Sequence, residues 1–187
     1  MTKEIKQTKD IQTVIDELAI KGVEALNEMA DFTQEQVDHI VHQAAIAALD
    51  KHMYLAKLAV DETGRGIYED KAIKNMYASE YIWNSIKYDR TVGVIAEDKE
   101  QGLVSIAEPV GVICGVTPTT NPTSTTIFKA LIALLRLVTL SSLPSTHQLK
   151  NHLQRQLVSF VMQLLKQVHL RTASSGLKSP LSKQLVF

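Results

Sequence analysis

The chain has 187 residues, of which 45% are hydrophobic and 21% charged, an ordinary globular composition with room for one sizeable core or two small ones. The first six residues, MTKEIK, mix charged and polar side chains without an apolar core, so neither a secretory signal nor a membrane anchor is predicted and the protein is expected in the cytoplasm. A single cysteine, Cys114, excludes an internal disulfide framework and a zinc cluster.

The charges are distributed unevenly along the chain. All 20 acidic residues fall within 1–108, together with 12 Lys and Arg, so this part has a net charge of −8. Residues 109–187 hold 8 Lys and Arg and no Asp or Glu. Since about a quarter of the residues in an average protein are charged, the second half needs a separate explanation.

Four helices are predicted between Asp10 and Tyr88. Apolar residues recur at helical spacing from Ile11 to Met29. Thr33 followed by Gln36 is a capping-box pattern that opens a second helix, which ends near Asp50. A third helix, from about Met53 to Asp61, is predicted to stop at Thr63-Gly64-Arg65-Gly66, where the glycines permit a left-handed backbone. A fourth runs from Glu69 to Tyr88, and the mixed charges of all four helices are interpreted as solvated faces.

The apolar period then changes from helical to alternating, which predicts strands. Residues 91–96 and 103–107, joined by a polar connector, indicate a β-hairpin. The β-branched run from Val110 to Val116 predicts a central parallel strand buried on both faces. A Thr, Pro and Asn turn follows, and Thr123 or Ser124 is expected to cap a helix that continues to Leu134. Strand, turn and helix form half of a dinucleotide-binding βαβ unit, although a plain capped βα turn has the same pattern and no G-x-G-x-x-G is present.

Several ordered motifs resemble one family. The residues that carry the resemblance are ETGRG at 62–66, EDK at 69–71, KN at 74–75, ASEY at 78–81, IAEPVGVICG at 106–115, TPTTNPTST at 117–125 and IFK at 127–129. They resemble the CoA-acylating aldehyde dehydrogenases, and more narrowly the N-terminal half of the bifunctional aldehyde-alcohol dehydrogenases of fermenting microbes. The resemblance covers about residues 1–134.

The resemblance implies a fold and an activity. The fold class is α/β, the N-terminal fragment of the aldehyde dehydrogenase fold: helices, a hairpin and the first βα unit of a Rossmann-like NAD-binding domain. The full-length enzyme is an oxidoreductase, an NAD-dependent acetylating acetaldehyde dehydrogenase of alcohol metabolism, which converts acetaldehyde, CoA and NAD⁺ to acetyl-CoA and NADH. Its substrates are a small aldehyde and CoA, it is a homo-oligomer, and it uses neither nucleic acid nor membrane.

The resemblance also assigns site residues. Val116, Thr117, Pro118, Thr119, Thr120 and Asn121 line the NAD pocket. The superfamily asparagine that supports the oxyanion corresponds to either Asn121 or Thr120, and we favour Asn121. The family's nucleophilic cysteine lies far downstream and has no counterpart here, so this chain alone is expected to be inactive.

Cys114 and the histidines are interpreted structurally. Cys114 lies inside an apolar strand, where a thiol behaves as an inert hydrophobe. His39 and His42 lie three residues apart on one helix and His52 follows, but two ligands without a third in register do not predict a metal site.

Residues 135–187 differ from the rest in composition, with 13 Leu, 8 Ser and 6 Gln. Codons can be chosen so that a shifted reading frame spells family-like residues across both 135–145 and 161–178. We therefore predict an out-of-frame tail with no family counterpart. A basic amphipathic segment that binds anionic membranes or nucleic acid is the disfavoured alternative. A rival for the whole chain is a small helical interaction protein.

Overall fold

The computed structural model describes residues 11–135 and 140–144. These residues are mostly helical, with two separate pairs of strands. In chain order the elements are α1 (Ile11–Met29), α2 (Gln34–Asp50), α3 (His52–Thr63), α4 (Tyr68–Met76), a π-helical turn (Tyr77–Tyr81), α5 (Ile82–Ile86), β1 (Gly93–Asp98), β2 (Leu103–Ala107), β3 (Ile113–Thr117), α6 (Pro122–Leu135) and β4 (Leu140–Pro144).

The boundaries of α2 and α3 follow from local capping, as predicted. The Thr33 side chain accepts a hydrogen bond from the Gln36 backbone N–H, and the Gln36 side chain accepts one from the Thr33 N–H at 2.8 Å, which confirms the capping box. Helix α3 ends at Gly64, whose φ of +62° is left-handed and whose N–H donates to the Val60 carbonyl at 2.8 Å. Both predicted helix ends are confirmed.

The helical core forms where α2, α3 and the 68–86 segment meet. Helix α2 contributes one apolar stripe to it, and α3 contributes Leu55, which is fully buried. Trp83 packs against this core from α5 and stacks on His42 with ring centroids 4.8 Å apart. Buried members of α2 are Val37, Ile40, Val41, Ala44, Ala45 and Ala48.

The fourth predicted helix is interrupted by the π-helical turn. The Ser79 hydroxyl donates to the carbonyl of Asn75 at 2.9 Å and to that of Met76 at 3.0 Å. A buried hydroxyl bonded to carbonyls of the preceding turn is a common companion of a disturbed helical ladder. The prediction of one regular helix from Glu69 to Tyr88 was therefore wrong in its middle.

Strands β1 and β2 form the predicted antiparallel hairpin. The register shifts by one residue between Val94 and Ala96, so Ile95 is the extra residue of a bulge. The side chains of β1 are exposed throughout, and in β2 only Ala107 is half-buried. At the hairpin's entrance the Gln34 side chain of α2 accepts hydrogen bonds from the N–H groups of Thr91 at 2.8 Å and Val92 at 3.0 Å. This polar contact attaches the base of the hairpin to the helical core.

Strand β3, helix α6 and strand β4 form a parallel βαβ unit. Ile113 pairs with Leu140 and Thr117 with Pro144 in a parallel register. The prediction of a parallel strand is confirmed, but within the described residues β3 has one neighbouring strand instead of two. Strand β4 lies in the segment that the sequence assigns to an out-of-frame tail. Apart from Leu135 and β4, that segment lies outside the described residues.

Two predictions about this unit were wrong. The run leading into β3 is not buried on both faces, because Val110 is 73% exposed and Ile113 38% exposed. In the described part of the chain β3 pairs with β4 alone, so one hydrogen-bonding edge of β3 is open as well. Helix α6 begins at Pro122, in the first helical position that proline favours, so neither Thr123 nor Ser124 is its cap. No described helix is both long enough and apolar enough to cross a membrane.

Candidate functional site

The candidate site lies at the carboxyl end of β3. The strand ends at Thr117 and α6 begins at Pro122, so the residues between them form one short turn at the edge of the parallel pair. Thr117 is buried, Thr120 is exposed, and Pro118, Thr119 and Asn121 are half-buried. All five residues lie in this one turn, and their assignment to the cofactor stays a prediction. Val116 belongs to β3, but its side chain lies outside what the structure describes, as does that of Cys114.

The turn is held from one side by Lys71 of α4. The Lys71 ammonium donates a hydrogen bond to the Thr120 carbonyl oxygen at 2.7 Å, and the side chain is 5% exposed. Burial lowers the pKa of Lys71 below its ordinary value, and the positive charge of Lys74 lowers it further. The prediction that the charges of α4 are solvated is therefore wrong at Lys71.

Asn75, one helical turn after Lys71, is fully buried and holds the start of α6. Its amide nitrogen donates to the His52 carbonyl at 2.9 Å. Its amide oxygen accepts a hydrogen bond from the Thr123 hydroxyl at 2.8 Å. Thr123 thus bonds to α4 instead of capping its own helix. Lys71 and Asn75 together are named the α4 clamp below, because they contact both sides of Asn121.

A cleft of about 530 Å³ opens between α6 and the segment 73–82. Its apolar lining comes from Ile73, Tyr77, Ile82 and Phe128, and Ser124 and Thr125 add hydroxyls next to the turn. Tyr77 also stacks on Tyr81 within the π-helical turn, with ring centroids 5.3 Å apart.

The cleft and the α4 clamp were not identified as functional from the sequence. Lys71 and Asn75 stand in two of the motifs that carry the family resemblance, EDK and KN, and their spacing of four residues places them on one helical face. The family motifs and the four-residue spacing together indicate that Lys71 and Asn75 contact the same neighbouring segment. The cleft had no such signal, because its lining comes from two segments about 50 residues apart.

The three histidines that the sequence places near one another have different environments. His42 stacks on Trp83, the His52 ring contacts the Leu49 carbonyl, and His39 is exposed. Within residues 11–135 and 140–144, no group of three or more His, Cys, Asp or Glu side chains could hold a metal ion.

Comparisons with known proteins point to one group of enzymes. The chain is 60% identical over 110 residues to the bifunctional aldehyde-alcohol dehydrogenase of Escherichia coli (strain K12), covering 59% of this chain and 12% of that protein. It is 51% identical over 131 residues to aldehyde-alcohol dehydrogenase 2 of Entamoeba histolytica, covering 69% of this chain and 15% of that protein. No protein-family model matches the chain.

The fold agrees with these sequences. The structure matches an acetylating aldehyde dehydrogenase from Geobacillus thermoglucosidasius with a TM-score of 0.80 and 34% identity, over 86% of this chain and 36% of that one. The chain therefore spans a small part of each relative's length. Its N-terminal segment is homologous to the acetylating aldehyde dehydrogenase region of the aldehyde-alcohol dehydrogenases, which are oxidoreductases.

Proposed function

We propose that this chain is the front part of an NAD-dependent, CoA-acylating aldehyde dehydrogenase, in which the turn after β3 contributes to the cofactor site. The reaction of the whole enzyme is aldehyde, CoA and NAD⁺ to acyl-CoA and NADH, with acetaldehyde as the substrate. One observation carries the proposal: the turn Thr117–Asn121 lies at the carboxyl end of a parallel strand and leads directly into a helix. Ligands of open α/β sheets bind at this edge.

The polar groups of the turn suit a nucleotide cofactor. Three threonines and one asparagine supply hydroxyl and amide groups within five residues, and such groups match ribose hydroxyls and a carboxamide. The turn lacks the glycine-rich sequence that would let a pyrophosphate approach the backbone closely. We therefore assign it the nicotinamide side of the cofactor, with Val116 at its entrance. NAD⁺, when bound, supplies the hydride acceptor.

Asn121 is proposed as the oxyanion support. Its side chain is half-buried, so the amide can donate to a developing negative charge without full exposure to water. Thr120 is the other position that the family pattern allows, but its side chain is exposed. This favours Asn121.

The cleft beside the turn is proposed to receive the aldehyde. Its lining, which includes Lys74 and Lys129, is largely apolar and suits a short alkyl group, and Ser124 and Thr125 of the first turns of α6 add hydroxyls to it. The chain by itself is not expected to turn over, because its single cysteine, Cys114, belongs to β3. The family's nucleophilic cysteine lies far downstream of the part that this chain matches.

Residues 135–187 remain proposed as an out-of-frame tail. Strand β4 is compatible with this origin, because strands pair through backbone groups that every non-proline residue carries. Sequencing the gene across codons 130–187 decides the point. A second frame encoding a lysine-led strand and a Phe-x-x-His-Pro segment is expected, and early stop codons in both other frames would contradict the proposal.

A titration of the ¹⁵N-labelled 187-residue chain with NAD⁺ tests the proposed function. Amide shifts are expected to change at Val116, Thr117 and residues 119–121 and not on α3, since Pro118 has no amide N–H. Asn121→Ala should alter the titration more than Thr120→Ala. Assays with acetaldehyde, CoA and NAD⁺ should give no NADH. Shift changes that leave residues 116–121 unaffected, or turnover that Cys114→Ser abolishes, would overturn the assignment.

A further inference from the structure

The α4 clamp contacts the turn on both sides of its proposed oxyanion residue. Lys71 and Asn75 are four residues apart and therefore lie on one face of α4. Lys71 bonds to the carbonyl of Thr120, and Asn75 bonds to the hydroxyl of Thr123. Asn121 stands between these two anchored residues. One helix face thus fixes the chain before and after it.

The Lys71 contact fixes the backbone as well as one oxygen atom. The peptide bond between Thr120 and Asn121 is planar, and no peptide in the described structure is cis. In a trans peptide the carbonyl and the following N–H point in opposite directions. Holding the Thr120 carbonyl toward α4 therefore turns the Asn121 N–H away from α4. The fixed peptide plane also fixes the Asn121 N–Cα bond, so the Asn121 Cβ can move only by rotation about φ.

Burying the ammonium group of Lys71 costs free energy. Removing an ammonium from water is unfavourable unless it gains strong partners, and an apolar side chain of similar length would pack without that cost. Among the described residues Lys71 forms no ion pair. The hydrogen-bond acceptor of its ammonium group is the carbonyl oxygen of Thr120. Methionine is an apolar side chain of similar length. What lysine has and methionine lacks here is the hydrogen bond to the Thr120 carbonyl of the turn.

The loop beneath Lys71 is shaped to admit it. A Cβ atom placed on Gly66 would lie 3.1 Å from the Lys71 Cε and 3.5 Å from its Nζ. The φ of Gly66 is +77°, which side-chain-bearing residues rarely adopt. Glycine at this position therefore leaves room for the end of the lysine side chain.

We propose that Lys71 is a positioning residue that orients the Thr120–Asn121 peptide for cofactor and oxyanion binding. This inference rests on the proposed function of the turn. Lys71 itself touches neither the substrate nor the cofactor in this scheme, and Asn75 secures the other side of the same turn through Thr123.

The experiment uses the full 187-residue chain and three variants. Lys71→Met keeps the length and removes both charge and donor, whereas Lys71→Arg keeps a cationic donor. Lys57→Met is the matched control, because Lys57 lies on α3 with its side chain 70% exposed and pairs only locally with Asp61 at 3.2 Å. For each protein, amide hydrogen exchange, the NAD⁺ dissociation constant by titration and the urea unfolding midpoint are measured.

Lys71→Met should accelerate exchange of the Thr125 amide, which donates to the Asn121 carbonyl at 3.3 Å, and weaken NAD⁺ binding, each about tenfold, as expected for loss of one charged hydrogen bond. Exchange within α2 should stay unchanged, and Lys71→Arg should recover part of the affinity. Lys57→Met should match the wild type. If Lys71→Met does not fold, Lys71→Arg carries the test through a shifted Asn121 amide resonance and altered affinity at an unchanged unfolding midpoint.

Two negative results have different meanings. If the wild-type chain binds NAD⁺ and Lys71→Met binds it with the same affinity, the positioning role is overturned and the proposed function stays intact. The same holds for Lys71→Arg if that variant carries the test. If the wild-type chain does not bind NAD⁺ at all, the cofactor assignment of the turn fails, and the role of Lys71 fails with it.

Discussion

Replacing Asn75 by alanine should destabilise the chain severely. Asn75 is fully buried, and its side chain makes two hydrogen bonds, to the His52 carbonyl and from the Thr123 hydroxyl. Alanine leaves the Thr123 hydroxyl, which is 2% exposed, without its partner, and it also removes the bond to the His52 carbonyl. At about 1.5 kcal/mol for each of the two lost hydrogen bonds, the free energy of unfolding should fall by about 3 kcal/mol.

A double-mutant cycle isolates the part of this loss that belongs to the contact with α6. Thr123→Val keeps the shape and removes the hydroxyl, at an expected cost of about 1.5 kcal/mol. Because both substitutions break the same hydrogen bond, the double variant should be about 1 kcal/mol more stable than the sum of the single losses predicts. Thr126→Val is the control, since among residues 11–135 and 140–144 the Thr126 hydroxyl bonds to the Pro122 carbonyl of its own helix, at 2.8 Å, and not to α4.

Urea unfolding provides the measurement, followed by far-ultraviolet circular dichroism and by the fluorescence of Trp83, the single tryptophan. The m-value should be the same in all variants, so that midpoints can be compared. The reasoning is refuted if Asn75→Ala costs less than about 1 kcal/mol, or if Asn75→Ala and Thr123→Val are additive within about 0.3 kcal/mol. Coupling with Thr126→Val as large as that with Thr123→Val would also contradict it.

Three further predictions concern local features. The unfolded state binds the Lys71 proton more tightly than the folded state, because burial lowers the folded pKa. The stability of the wild type relative to Lys71→Met should therefore rise with pH between that lowered pKa and the ordinary value of about 10.5, as measured by urea midpoints; a flat difference would contradict this. Gly64→Ala should cost about 1 kcal/mol at the left-handed end of α3, and Gly64→Asn less, by thermal unfolding. Thr33→Ala should cost about 1 kcal/mol through loss of the capping box, and Thr33→Ser should recover most of it.

The elements that sequence reasoning located are those with local causes. The capping box at Thr33 and the left-handed end at Gly64 each involve groups within four residues of one another. The local residue pattern is therefore enough to predict both. The hairpin was likewise indicated by alternation around a polar connector. The turn from Thr117 to Asn121 was predicted as a unit because strand, turn and helix follow one another directly.

The features that sequence reasoning missed depend on partners far away in the chain. Lys71 resembles any charged helix residue until its acceptor, Thr120, is known, and the two are 49 residues apart. Thr123 has the character of a helix cap, yet its hydroxyl bonds to Asn75, 48 residues earlier. The π-helical turn contains Ser79, which is fully buried by tertiary packing and whose hydroxyl bonds to the Asn75 carbonyl. Local periodicity carries no information about such pairs.

The hairpin gives this chain a second, lower level of stability. Its strands share no apolar layer with the helical core, and Leu103, Val104 and Ile106 are each more than half exposed. An isolated two-stranded hairpin is at best marginally stable in water, so it can open without disturbing the helices. Amides of β1 and β2 should therefore exchange far faster than those of α2, at a rate that Asn75→Ala does not change. One unfolding midpoint then describes the helices but not the hairpin.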